Sequence, residues 1–228
     1  MDSISIIRES GKYFELISAI VGTIYFYKYR HTSLKYFLFL LWYITLTEFL
    51  GSISIKHEML VVFDKNGIKY NYWMFNLLYF IFFNTVYMIY LHFIANRKQK
   101  TFIKIFMVSY IITSIINWTF IQNFLYEMSE TPFVLGSIFL IIIIIFYFIQ
   151  LLKSNKIIAF HKDLLFWISV GLLIFHTGTI PFSIKYNGYA LLPKIHNLFL
   201  IIYILSICMY SIFTFGFILS NKVENKDS

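Results

Sequence analysis

Cysteine, proline and glycine are scarce in this chain of 228 residues. Its one cysteine, Cys208, excludes an intramolecular disulfide and any metal site built on a Cys-x-x-Cys pair. There are only three prolines and nine glycines, and none of the long apolar stretches contains a central proline or a glycine-rich break. The broken helices on which many secondary transporters build their binding sites are therefore not expected.

Charge is scarce as well. Charged residues make up 13% of the chain against 59% hydrophobic residues, and the mean hydropathy is +0.73, far above the soluble range. This composition indicates an integral membrane protein in contact with a lipid bilayer. The 27 phenylalanines and 18 tyrosines suit packing against lipid and aromatic belts at its surface. The net charge of +8 does not indicate nucleic-acid binding, because the only basic run is Arg97-Lys98-Gln99-Lys100.

The apolar stretches are long enough for membrane-spanning helices, which need about 20 residues. The sequence predicts an all-α membrane protein in which residues 1–228 form a single transmembrane domain, a bundle of seven helices. The predicted spans are Tyr13–Tyr29, Tyr36–Ile55, Tyr72–Ala95, Ile103–Gln122, Pro132–Leu152, Leu164–Ser183 and Ile195–Leu219. Asp163 is the predicted N-cap of the sixth helix, and Asp64-Lys65-Asn66-Gly67 is a predicted turn.

Orientation follows from the distribution of lysine and arginine between the loops on the two sides of the membrane. Of the 19 such residues, 7 fall on the side that holds the N-terminus and 12 on the other side. Because cytoplasmic loops are enriched in lysine and arginine, the N-terminus is predicted to lie outside and the C-terminus in the cytoplasm. The predicted location is the inner membrane of a bacterium, crossed several times.

Two pairs of segments suggest an internal repeat. The stretch "LLWYITLTEFLG" of the second helix is similar to "LFWISVGLLIFHTG" of the sixth, and "FNLLYFIF" of the third is similar to "HNLFLIIY" of the seventh. This pairs helices one to three with helices five to seven and leaves the fourth as a linker. Both halves would run in the same direction, so the predicted arrangement is a parallel 3+1+3 repeat.

Five stretches also carry a family resemblance. In this order, "LWYITLTEFLG", "YWMFNLLYFIFF", "INWTFIQ", "PFVLGSIFLI" and "FWISVGLLIFHTGTIPF" resemble the seven-helix membrane proteins widespread in Bacteroidetes bacteria, for which no activity is assigned. Rhodopsins, SWEET sugar transporters and G-protein-coupled receptors are similar only in architecture. The chain has no lysine within Ile195–Leu219 for retinal, no Pro-Gln pair and no Asp-Arg-Tyr after the third helix.

Polar side chains inside the predicted spans are the candidate site residues, because lipid offers them no partner. They fall on six of the seven helices and mostly in the outer half of the membrane, as a pocket open to the outside would require. The predicted ligand-binding residues are Glu15, Glu48, Asn76, Asn84, Asn117, His176 and His196. Only the fifth helix lacks a polar stripe, which predicts that it faces lipid or a partner.

Glu48 is the most informative of these residues. A carboxylate about 13 residues into a span costs about 2.5–3.5 kcal/mol on insertion scales, so it indicates a partner, a cavity or a neutralised state. His176 is its predicted partner and His196 the second choice. A structural role stays open for each, since His176 could bind a backbone carbonyl beside Gly178, and Glu15 and His196 could be hydrated near the membrane surface.

The asparagines have an equally simple alternative, which is to tie neighbouring helices together by hydrogen bonds. Three classes of function then compete. The first is a receptor-like sensor or accessory subunit that binds a small molecule and acts through a cytoplasmic or membrane protein partner. A small-solute transporter, in which Glu48 carries a proton, is the alternative, and a metallohydrolase with Glu48, His176 and His196 on one metal is the third. No catalytic residue, cofactor or metal is assigned.

Overall fold

The computed structural model describes residues 3–184, 186–190 and 196–222. Helix dominates these residues, because a chain in lipid must satisfy its backbone hydrogen bonds within each segment. The helices are α1 (Ser3–Ile24), α2 (Lys35–His57), α3 (Tyr72–Phe93), α4 (Arg97–Ile116), α5 (Glu130–Leu152), α6 (Leu164–Ser183), α7 (Tyr186–Ala190) and α8 (His196–Leu219). Strands β1 (Val62–Phe63) and β2 (Lys69–Tyr70) form an antiparallel hairpin.

Side-chain caps and turns set several of these boundaries. Asp163 accepts a hydrogen bond from the backbone nitrogen of Leu165 and starts α6, which confirms the predicted N-cap. Asn96 accepts hydrogen bonds from the backbone nitrogens of Lys98 and Gln99 and starts α4 in the same way. In the hairpin, Asp64 Oδ1 accepts from two backbone nitrogens and Gly67 has a φ of +76°, so the predicted turn is confirmed.

Within the described residues, six helices are long and apolar enough to cross a membrane. They are α2, α3, α4 with the π-helical turn Asn117–Ile121, α5, α6 and the Leu200–Leu219 part of α8. The chain is therefore a helical membrane protein. One predicted span is not among these six. It is the first, Tyr13–Tyr29, and it corresponds to α1, which begins ten residues earlier and ends at Ile24. The first half of α1 carries Arg8, Glu9, Lys12 and Glu15, so a search for apolar stretches misplaces this helix.

The long helices form a ring with one helix outside it. Neighbours around the ring are α1, α2, α3, α5, α6 and α8, and α8 closes the ring against α1. Helix α4 packs on α3 and α5 from outside. One side of α5 is buried, since Leu140, Ile143 and Ile144 are inaccessible against the neighbouring helices. The other side exposes Ile138, Ile145 and Ile149, and for this side it stays a prediction that α5 faces lipid or a partner. The 3+1+3 repeat stays a prediction.

The two ends of the bundle are distinct, and we name them the hairpin end and the closed end. The hairpin end holds the first turns of α1, the β-hairpin, the segment 122–129 and α7. Its parts are joined by bonds such as Lys12 Nζ to Ser52 Oγ and Met128 N to Asn187 Oδ1. The closed end holds the segments 25–34, 94–96 and 153–163 and the C-terminus of α8.

The closed end is filled with aromatic side chains. The Tyr29 hydroxyl donates to the Gly22 carbonyl, and the Tyr29 ring stacks on Phe217 with 5.6 Å between ring centres. Phe37 meets Phe213 edge to face at 5.1 Å. A Cβ atom at Gly22 would lie 3.0 Å from the Phe217 ring, so glycine permits this close approach.

Candidate functional site: a polar cavity at the hairpin end

A cavity with a volume of about 660 Å³ lies at the hairpin end of the bundle. Helices α1, α2, α3, α6 and α8 contribute to its wall, together with α7 and the start of α5. Its polar and ionisable lining residues are Glu9, Lys12, Glu15, Glu48, Ser52, Asn71, Tyr72, Tyr79, His176, Tyr186, Tyr203, Ser206 and Tyr210. Apolar rings, including Phe75 and Phe82, complete the wall.

Helical periodicity brings these side chains to one wall. In α2 the lining residues Ile44, Glu48, Ser52 and Ile55 recur at intervals of three or four, which is one face of a helix. Helix α3 presents Tyr72, Phe75, Tyr79 and Phe82 with the same period, and α8 presents Tyr203, Ser206 and Tyr210. Each wall is thus a stripe of its helix, and the cavity is the space that these stripes leave between them.

Glu15 is the most enclosed carboxyl of the cavity. Its side chain is only 5% exposed, and it lies near Thr45, Tyr210 and the Glu48 carboxyl. One of its oxygens, Oε1, is buried and forms no hydrogen bond within the described part of the chain. A buried oxygen without a partner costs about 1–3 kcal/mol, so Glu15 is held there at the expense of stability.

Glu48 lines the same cavity near Glu15, and its side chain is half-buried. Lys12 is the nearest cation to the pair, but its ammonium is bound elsewhere. Nζ lies 2.8 Å from Ser52 Oγ and 3.3 Å from Glu9 Oε1. Among the described residues, no cation forms an ion pair with Glu15 or Glu48. The cavity therefore holds two acidic groups for which the described chain provides no paired charge.

Tyr186 covers the cavity from α7. Burial raises the pKa of its phenol, and the neighbouring Tyr72, Tyr203 and Glu48 raise that pKa further. The phenol therefore stays neutral at physiological pH and keeps its proton for donation. Because Tyr186 lines the cavity, its helix α7 is part of the site. This helix has five residues and lies outside the predicted spans.

His176 lies in the cavity wall in an aromatic setting. The ring is 2% exposed and lies 5.4 to 5.8 Å, between ring centres, from Phe82, Phe83 and Phe133. Its Nδ1 lies 2.8 Å from Ser137 Oγ on α5. The Ser137 hydroxyl also lies 2.8 Å from the Phe133 carbonyl, so it connects His176 to the backbone of α5.

The other ring nitrogen of His176, Nε2, is buried, and within the described chain it has no hydrogen-bond partner. The predicted pairing with Glu48 is not observed, because no hydrogen bond or ion pair between described atoms joins the two side chains. Both residues line the same cavity, but the partner of His176 is a serine on the helix for which no polar stripe was predicted.

The structure places the three predicted asparagines elsewhere. Asn76 donates to the carbonyls of Phe124 and Glu127 and accepts from the Ser129 nitrogen, so it binds the segment before α5. Asn76 therefore lies at the same end of the bundle as the glutamates but is not among the described residues that line the cavity. The hairpin end instead uses Asn76 to fix a loop.

Asn84 and Asn117 also bond locally. Asn84 Nδ2 donates to the Phe80 carbonyl of its own helix, and Asn117 Nδ2 donates to Gln122 Oε1 at the end of the π-helical turn. Neither is among the described residues that line the cavity. Helix α8 begins at His196, but the side chain of His196 lies outside the part of the chain that the structure describes.

Several lining residues are absent from the set predicted from the sequence, among them Lys12 and Tyr79. Lys12 was counted only as a loop charge, although it lies three residues before Glu15 and hence on the same helix face. In α3 the stripe of Asn76 and Asn84 was chosen for its polarity, whereas the cavity uses the stripe of Tyr79. The seven-residue spacing of Tyr72 and Tyr79 places both tyrosines on one face of α3, and this pattern could have identified the cavity-lining face from the sequence.

No protein-family model, curated protein or solved structure matches the chain. Within the described residues, no three His, Cys, Asp or Glu side chains lie close enough together to hold a metal ion. The cavity geometry therefore carries the functional argument.

Proposed function

We propose that this chain is a receptor-like sensor or accessory subunit of a bacterial inner membrane. It crosses the membrane seven times, with α1 as the first span, the N-terminus outside and the C-terminus in the cytoplasm. A small molecule enters the cavity from outside, and a protein partner at the cytoplasmic side receives the signal.

The observation that carries this proposal is the cavity with its unpaired carboxyls. A packed interior is the default for stability, since voids lose van der Waals contacts. A cavity of about 660 Å³ lies in the size range of small-molecule sites, and it combines apolar walls with a few converging polar groups. Stability alone does not account for an unsatisfied buried Glu15 oxygen in such a place.

The contrast between the two ends supports sensing over transport. Transport needs access to the site from both sides. Towards the closed end the interior is filled by fully buried side chains such as Tyr90, Leu172 and Phe213. At that end the first turn of α4 carries the exposed cations Arg97 and Lys98, which offer a surface to a partner.

Cysteine labelling from each side of the membrane tests this proposal. In a Cys208→Ser background, Ser206→Cys places a thiol in the cavity and Lys98→Cys places one at the closed end. We expect a membrane-impermeant maleimide to label Ser206→Cys in spheroplasts and Lys98→Cys in inverted vesicles. The reversed pattern would overturn the orientation, and labelling of Ser206→Cys from both sides would replace sensing by transport.

A further inference from the structure

We infer that the cavity binds a small organic cation, an amine or quaternary ammonium group attached to an apolar body. This inference rests on the proposed function and names the chemical class of its ligand.

The first argument is charge. Glu15 and Glu48 both line the cavity and lie close enough to interact, and Lys12, the cation that lines the cavity with them, is bound to Glu9 and Ser52. Charges removed from water are tolerated when they are paired, and a buried carboxyl without a partner is a costly arrangement. A ligand cation between the two carboxyls would provide the pairing that the described residues do not. An anion would meet repulsion from both.

The second argument is the nature of the wall. Aromatic rings from several helices line the cavity, including Phe75, Tyr79, Phe82 and Tyr210. The faces of such rings attract organic cations. Where the cation is a protonated amine, tyrosine hydroxyls and the buried oxygen of Glu15 without a partner add acceptors for its N–H hydrogens. A wall of carboxyls and rings is typical of sites that take a cation with an apolar part.

The third argument is size. A space of about 660 Å³ greatly exceeds one metal ion, and no described group of three ligands could hold such an ion. A bare cation would also leave the apolar rings without contacts. An organic cation accounts for both the carboxyls and the apolar rings of the wall. Its charged end would contact Glu15 and Glu48, and its apolar end would pack against the rings.

Titration calorimetry on the purified full chain in lipid nanodiscs tests the inference. The probe is benzyltrimethylammonium, with benzyl alcohol as the neutral comparison and benzenesulfonate as the anionic one. We expect saturable binding of the cation at least tenfold tighter than that of either comparison. Glu15→Gln and Glu48→Gln should each weaken cation binding by tenfold or more while preserving shape.

Glu58→Gln is the matched control, because Glu58 is an exposed carboxylate paired with Lys69 and is not a described lining residue of the cavity. It should leave the affinity unchanged. If a glutamine variant fails to fold, the preference of the unmodified chain among the three probes still decides the question.

The outcomes separate this inference from the proposed function. If benzyl alcohol or benzenesulfonate binds as tightly as the cation or more tightly, the inference of a cationic ligand is wrong. The proposed function as a ligand-binding sensor then still stands. Absence of saturable cation binding to folded protein also overturns the cation. Failure of Ser206→Cys to react from outside overturns the sensor itself, whatever the probes do.

Discussion

The hairpin end and the closed end are built from the same helices, yet their interiors differ. Helix α8 shows this within a few turns, because Tyr203 and Ser206 line the cavity whereas Phe213 and Phe217 are fully buried among other rings. Helix α1 changes in the same direction, from Glu15 at the cavity to Ala19 in the core. Each helix therefore has a polar, incompletely packed part and an apolar, filled part.

The difference shows how the molecule divides stability from binding. In a membrane, helices associate through close packing and interhelical hydrogen bonds rather than through burial from water. The closed end supplies the packing, with Tyr29 stacked on Phe217 and hydrogen-bonded to Gly22. The hairpin end keeps space and unpaired polar atoms, which lowers stability and leaves room for a ligand.

Removing packing at the closed end should have the largest effect on stability. Phe217→Ala deletes a ring that is fully buried against Tyr29 and Phe37, so we expect the free energy of unfolding to fall by about 3–5 kcal/mol. Thermal unfolding in detergent measures the change. Phe215→Ala is the control on the same helix, because Phe215 is 58% exposed and should cost far less. Equal losses would show that the closed end is not the stabilising part.

An apolar residue at the cavity should have the opposite sign. Glu15→Leu removes the unsatisfied oxygen, and we expect the free energy of unfolding to rise by about 1–2 kcal/mol in the absence of ligand. The same unfolding assay measures it, with Glu58→Gln as a surface control near zero. A clear loss of stability would mean that the Glu15 carboxyl has a structural role, and the contrast between the ends would fail.

The smallest effect concerns the cation that caps α8 at the closed end. Lys28 Nζ donates to the carbonyls of Phe217, Ile218 and Ser220, where a helix C-terminus favours positive charge. Lys28→Met should lower the free energy of unfolding by about 0.5–1 kcal/mol. Lys98→Met, at an exposed position, is the control. No difference between the two variants would reduce the cap to an ordinary surface contact.

Much of the fold could be predicted because the membrane imposes it. Length and apolar composition located α2, α3, α5 and α6 to within a few residues, and the cap at Asp163 fixed the start of α6. The start of α1 could not be found in this way, because its charged first half faces a cavity rather than lipid. Helix α7 was missed since five residues are too few for a periodic pattern.

The candidate site could be predicted in part. Glu15, Glu48 and His176 line one cavity because ionisable groups in a bundle have to avoid lipid. The asparagines could not be sorted in this way, because a loop-binding asparagine such as Asn76 and a cavity-lining one show the same helical spacing. The bond from His176 to Ser137 depends on which helices are neighbours, and spacing along the chain does not contain that information.

The packing of α1 has a consequence for the synthesis of the chain. Its main neighbours are α2 and α8, and α8 begins only at His196. At 5–20 residues per second the ribosome reaches α8 roughly 10 to 35 s after completing α1. During this interval the cavity that surrounds Glu15 is not yet formed, because α8 is absent. We therefore expect the charged half of α1 to stay at the membrane surface until α8 is synthesised. A nascent chain that stops before α8 therefore lacks its last helix and also the main packing partner of its first helix.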